Sequence, residues 1–223
     1  MRSLVMRLLG VVVVTAAAAC SAAGGASAGT MPSSRVSSPD SAAPADRVRH
    51  SYTLADVEFM TGMIHHHAQA LVMARMAPTH GASASLQVLA ERIINGQNDE
   101  IALMQRWLRD RNEPVPEPAP AGMETTTHGD DHAMHMPGML SDEQLEELDA
   151  ARGVEFDRLF LTYMIQHHQG ALTMVNELFS TYGAGQGDAI FKLASDIGAD
   201  QASEIARMQS MLREMLLETV NSP

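Results

Sequence analysis

One eighteen-residue pattern is written twice in this chain. Asp56–Met73 (DVEFMTGMIHHHAQALVM) returns 101 residues later as Asp157–Met174 (DRLFLTYMIQHHQGALTM), sharing the frame D-x-x-F-x-T-x-M-I-x-H-H-x-x-A-L-x-M. A second correspondence follows each copy. Leu89, Ile93, Gln97, Glu100, Ile101, Met104 and Leu108 match Leu193, Ile197, Gln201, Glu204, Ile205, Met208 and Leu212 at an offset of 104. The repeat unit is therefore two helices and a turn, used twice, with the second turn slightly longer. A single helical hairpin cannot bury its own apolar stripes, but two can cover each other. The expected fold is all-α, an antiparallel four-helix bundle built from a tandem duplication of a helical hairpin.

Local signals place the helices. Thr53 with Asp56 reads as a capping box, and Pro78 and Gly81 stop that first helix near Ala77. The second helix is expected from Ser83 to Arg111, its apolar residues mostly stepping by three, four or seven. Pro114, Pro116, Pro118 and Pro120 end it. Ser141 with Gln144 starts a short helix to Ala151, and Gly153 allows a bend. The third long helix should reach Tyr182, and the fourth should run from Asp188 to Val220. Residues 51–113 are thus the first hairpin and 114–140 a Pro-rich, then His/Met-rich linker. Residues 141–220 are the short helix plus the second hairpin, and 51–220 form one domain.

Ahead of this lies a leader. Arg2 and Arg7 precede an apolar run, Leu8 to Ala19, too short to span a bilayer comfortably. Residues 1–20 read as a signal peptide ending in a lipobox-like Ala17-Ala18-Ala19-Cys20. Lipidation of Cys20 would anchor the protein on the outer side of the cell membrane. Ordinary cleavage near the Ala run would release it as a secreted protein. Residues 21–50, rich in Ser, Ala, Gly and Pro, read as a disordered tether. Cys20 is the sole cysteine, so neither a disulfide framework nor a thiolate metal site is available. Against 15 Lys and Arg stand 27 Asp and Glu. That charge argues against nucleic acid and against anionic membrane surfaces, leaving a lipid anchor as the only membrane attachment.

The repeated frame carries two residue types with metal chemistry. On a helix, Met63 lies beside His66 and His67, and Met164 beside His167 and His168. Adjacent histidines point about 100° apart, so one of each pair faces the interior squarely or both straddle its edge. Met73 and Met174 lie two turns beyond, placed for a second ion or for core packing. Thioether with imidazole, in the absence of thiolate, suits Cu(I) and the similar Ag(I). Zinc, which favours Cys, His and carboxylate, is the weaker fit. A di-iron carboxylate site needs Glu three residues before His, and neither copy has it. The competing reading is that Met fills core and the histidines are simply hydrogen-bonded. Buried paired imidazoles are costly for that purpose alone.

The linker segment 123–139 adds His128, His132, Met134, His135, Met136 and Met139 as candidate loop ligands. Nothing in it reads as an amphipathic helix, and His/Met-rich tracts are compositional metal-binding signals. The alternative is a solvated linker whose Met residues touch the bundle. Asp56 and Asp157 are read as first-turn capping residues, with the orientation of a histidine as the alternative.

The frame F-x-x-x-M-I-x-H-H-x-x-A-L-x-M, with the linker His135-Met-Pro-Gly-Met-Leu-Ser141 leading into Asp157 and Phe160, resembles the secreted bacterial "domain of unknown function 305" family. The resemblance covers roughly residues 53–217. It implies a ferritin-like four-helix bundle that is exported or lipid-anchored. For some members it implies copper binding through Met63, His66, His67, Met73, Met164, His167, His168 and Met174. The first copy departs from the usual pattern at His65-His66-His67-Ala68-Gln69.

The expectation is an extracytoplasmic copper-binding protein, a chaperone or sequestering buffer for Cu(I), and not an enzyme. Its partners would be the copper ion and a copper-delivering or copper-accepting protein. One alternative is a metal-free structural or interaction module of the cell envelope. The other is an oxidoreductase with a redox-active metal, which no general base, nucleophile or cofactor loop supports.

Overall fold

In a computed structural model, described over residues 52–120 and 136–221 with side chains to 217, five helices carry the chain. They are α1 (Leu54–Met76), α2 (Ala84–Arg109), α3 (Asp142–Ala150), α4 (Gly153–Ser180) and α5 (Asp188–Asn221). The described residues contain no strand, so the fold is all-α. None of their helices is long and apolar enough to cross a membrane. Cys20, the 21–50 tether, and His128, His132, Met134 and His135 of the loop lie outside the described residues.

Capping chemistry sets the helix starts. Thr53 Oγ1 accepts the Asp56 N–H at 3.2 Å, and the Asp56 carboxylate accepts the Thr53 N–H at 2.7 Å. Ser141 and Gln144 repeat this reciprocal pair at 3.3 and 3.0 Å. Both satisfy N–H groups that a first turn leaves without helical partners. Beyond α1, Gly81 turns through φ +71°, and the Ser83 hydroxyl caps α2. α2 ends two residues short of Arg111. Asn112 enters the left-handed region at φ +58°, and the Glu113 N–H returns to the Leu108 carbonyl at 3.0 Å.

α1 packs along α2, α4 along α5, and α1 on α4, whereas α2 and α5 touch only sparingly. The core is split into two apolar clusters. One gathers Phe59, Met63 and Ile64 from α1, Met104 and Leu108 from α2, Met174 from α4 and Ile197 from α5. The other gathers Met73 from α1, Leu86 and Ile93 from α2, Phe160 and Met164 from α4, and Met208 from α5. Each such side chain contributes ~1.5–3 kcal/mol on burial. On every long helix a polar stretch falls between the two clusters. It consists of His66 and His67, then Gln97 and Glu100, then His167 and His168, then Gln201 and Glu204.

The duplicated aspartates tie the repeats together. Asp56 Oδ1 accepts the Gly185 N–H at 2.7 Å, in the turn before α5. Asp157 accepts the Ser83 N–H at 3.2 Å through both oxygens, at the start of α2. Each aspartate therefore secures the turn of the other repeat. This corrects two expectations. Asp157 is not in a first turn, because α4 begins at Gly153 (φ +60°), and its N-cap Arg152 makes no side-chain cap. Neither carboxylate hydrogen-bonds a histidine among the described residues; both are used by backbone N–H groups at helix ends.

Candidate metal centre

All four frame histidines are fully buried. His66 and His167 come from facing helices α1 and α4, and their rings lie 3.8 Å apart between centroids. His67 and His168 turn instead toward the second helix of their own repeat. His67 Nε2 meets Glu100 Oε2 at 2.6 Å, and His168 Nε2 meets Glu204 Oε2 at 2.7 Å. His65 leaves the layer altogether, its Nδ1–H donating to the Ala119 carbonyl at 2.7 Å. The first-copy pair is thus His66 and His67.

Hydrogen bonding selects which nitrogens remain. A carboxylate or carbonyl oxygen can only accept, so His67 and His168 donate Nε2–H to glutamate, and His66 donates Nε2–H to the Pro137 carbonyl at 3.1 Å. In a neutral ring this leaves the lone pair on Nδ1. The Nδ1 atoms of His66, His67 and His168 are buried without partners, as are both nitrogens of His167. Burial brings the His66 pKa from 6.5 down to about 3, with His67 adding to the effect and the Pro137 carbonyl opposing it. Burial, then His66, His168 and His67, hold His167 well below its ordinary value, with a weak contact to the His66 backbone opposing them. Both rings are therefore neutral at pH 7, the form that ligates metal.

The thioethers bracket this layer. Met63 and Met174 share one apolar cluster, and Met73 and Met164 share the other. The pairing crosses the repeats, as neighbours running in opposite directions require. A Cβ built on Gly62 would lie 3.3 Å from Met174 Cε and 3.5 Å from Met136 Sδ. The missing side chain thus lets a linker methionine join the frame methionine. Met139, also described, is half-buried, and its N–H bonds the Met136 carbonyl at 3.3 Å.

Residues 136–140 form a strap over the histidine pair. Gln69 of α1 holds it by two bonds, Nε2–H to the Leu140 carbonyl (3.1 Å) and Oε1 from the Leu140 N–H (2.8 Å). On the α4 side the strap backbone lies so close that a Cβ on Gly170 would meet the Pro137 oxygen at 1.9 Å. Gln69 and Gly170 occupy equivalent positions in the two repeats, so their difference has a structural cause. The sequence reading passed over Glu100, Glu204, Gln69 and Gly170 as site residues. The repetition of the two glutamates at the 104-residue offset was the available signal.

Among the described residues no group of three or more His, Cys, Asp or Glu side chains is arranged to hold a metal. An ion at this level would have to draw on sulfur as well as imidazole, which fits a soft monovalent cation better than zinc. One cavity of about 670 Å³ lies by Ser83, Asp157 and Met215, away from the histidines. One of about 280 Å³ lies between α2 and α5, at Gln97, Glu100, Gln201 and Glu204. Burial raises the pKa of Asp200 on its rim, and the Glu100, Glu204 and Asp196 carboxylates add to the rise.

Fold and site define an all-helical protein with buried imidazoles between methionine-bearing clusters. The profile of the family described as "Domain of unknown function (DUF305)" matches residues 56–212, and the chain belongs to that family. No curated protein matches it. A DUF305 fragment from Deinococcus radiodurans is similar, with 28% identity and TM-score 0.61 over 73% of this chain and 98% of that one. A DUF305 protein from Streptomyces coelicolor, described as secreted, shows 26% identity and TM-score 0.59 over 72% and 92%. CopM in its Cu(II)-bound form shows 32% identity and TM-score 0.55 over 71% and 96%. CopM has also been solved with Cu(I) and with silver.

Proposed function

We propose that this protein is an exported copper-binding protein that holds Cu(I) in its interior as a chaperone or sequestering buffer. In this reading the helices form an antiparallel four-helix bundle of the ferritin-like kind. Cys20 anchors it outside the membrane, or the leader is cleaved and the chain is secreted. The ion is cargo and no covalent chemistry is done, so the protein is not an enzyme. Its partners are the ion and a protein that gives or takes it, and nucleic acid is not among them.

One observation carries this reading. Four buried imidazoles share one layer between thioether-bearing clusters, with five ring nitrogens left without hydrogen-bond partners. Leaving a buried polar group unsatisfied costs about 1–3 kcal/mol, a poor return for a purely structural core. A bound cation would recover that cost. Similarity to CopM, solved with Cu(I), Cu(II) and silver, supports the same ion class. The linker ligands His128, His132, Met134, His135, Met136 and Met139 would capture the ion and pass it to the histidine layer.

The alternative, a metal-free helical module, draws on the packing of Met63, Met73 and Met164 as ordinary core. Anaerobic Ag(I) titration separates the two. A variant with His66, His67, His167 and His168 all changed to Ala should lose the tightest equivalents. Equal uptake by variant and native chain would refute the interior site.

A further inference from the structure

The histidine layer has two sides, and they are built differently. On the α1–α4 side the strap closes it. The Pro137 carbonyl sits on His66 Nε2 at 3.1 Å, and Gln69 holds Leu140 by two bonds. A Cβ on Gly138 would meet the Gln166 carbonyl at 2.6 Å, so backbone lies directly on backbone there.

On the other side α2 and α5 barely touch, and the cleft of about 280 Å³ opens between them. Gln97 and Gln201 line it at equivalent repeat positions and are only 3% and 2% exposed. Both amide atoms of Gln97 and the Oε1 of Gln201 have no hydrogen-bond partner. Buried amides of this kind demand a partner that the protein does not supply. Glu100 and Glu204 reach the same cleft from behind His67 and His168, and Asp200 stands at its rim. A carboxylate-lined cleft with low-dielectric walls concentrates cations. Neutral amide oxygens suit a passage, where binding must be weak enough to let the ion leave.

The geometry points to the α2–α5 cleft as the port through which a soft monovalent cation reaches and leaves the histidine layer, with the Gln97 and Gln201 amides as its neutral threshold. This rests on the copper-binding reading and adds the route. Gly96 offers a direct probe. It lines the cleft in mid-helix, and a Cβ there meets nothing within 4 Å. Gly96→Phe would thus grow into the cleft without displacing core, and leaving glycine favours the helix.

The test is stopped-flow transfer of Cu(I) between a chromogenic chelator and the full chain. The interior phase is the one missing from the four-histidine Ala variant. Gly96→Phe should slow that phase in both directions by about tenfold or more while leaving the final loading unchanged. Gln97→Leu with Gln201→Leu should slow it too. Unchanged rates in Gly96→Phe would overturn the port. Absence of any histidine-dependent phase in the native chain would instead bring down the copper-binding reading, and the port with it.

Discussion

His66 and His167 lie ring against ring in the interior, 3.8 Å apart between centroids, although 101 residues separate them in the chain. The contact joins equivalent positions of the two repeats across the α1–α4 interface. An arrangement of this kind costs stability in the metal-free protein and makes sense where a ligand repays it.

His167→Leu should therefore separate stability from function. Neither His167 nitrogen makes a hydrogen bond of good geometry, the His66 backbone offering only a weak contact, so an apolar side chain removes two poorly satisfied polar atoms. Urea unfolding of the metal-free variant should show a gain of about 1–2 kcal/mol, together with weaker Ag(I) retention. A loss of stability would mean that the ring is held by interactions the structure does not show.

Acid should destabilise the metal-free protein in a defined window. His66 has its folded pKa lowered from 6.5 to about 3, and His167 is lowered as well. The unfolded chain then binds more protons than the folded one, so stability is full above about pH 6.5 and falls as pH drops toward 3. The slope is up to ~1.4 kcal/mol per pH unit per group. Urea midpoints across that range measure it, and His167→Leu should flatten the curve.

Glu100 and Glu204 fix the tautomer of His67 and His168 by accepting Nε2–H at 2.6 and 2.7 Å. Glu100→Gln with Glu204→Gln keeps an acceptor but loses its charge. Cu(I) affinity, measured by chelator competition, should fall by about 10–100-fold with the helical far-UV signal intact. Native affinity in this variant would show that the carboxylates play no part in presenting Nδ1.

The strap makes a prediction about size alone. Gly170→Ala places a Cβ 1.9 Å from the Pro137 oxygen, backbone against side chain, and should lower stability by about 1–3 kcal/mol in thermal unfolding. Gly62→Ala is the control. Its Cβ would meet only the flexible ends of Met174 and Met136, at 3.3 and 3.5 Å, so the loss should be much smaller.

Much of the fold was legible in the sequence. The doubled offset required paired helices, and Thr53/Asp56 and Ser141/Gln144 form the capping boxes their spacing specifies. His66, His67, His167 and His168 do come to one level. What the sequence hid was direction. Adjacent histidines diverge on a helix, and only packing shows that His66 and His167 face each other while His67 and His168 face glutamates. The strap was hidden for a different reason. Residues 136–140 have no periodicity, and their hold on Gln69 and Gly170 is a backbone contact that no side-chain pattern announces. Asp157 misled because its likeness to Asp56 suggested the same cap, whereas α4 starts a turn earlier at Gly153.

The most direct measurement is X-ray absorption at the copper edge on the full chain loaded anaerobically with one Cu(I). Met123, His128, His132, Met134, His135, Met136 and Met139 would first be changed to Ser so that the linker cannot contribute. A retained ion with both imidazole nitrogen and thioether sulfur around it is the expected result. Failure to retain copper, or a shell without sulfur, would contradict the proposed centre.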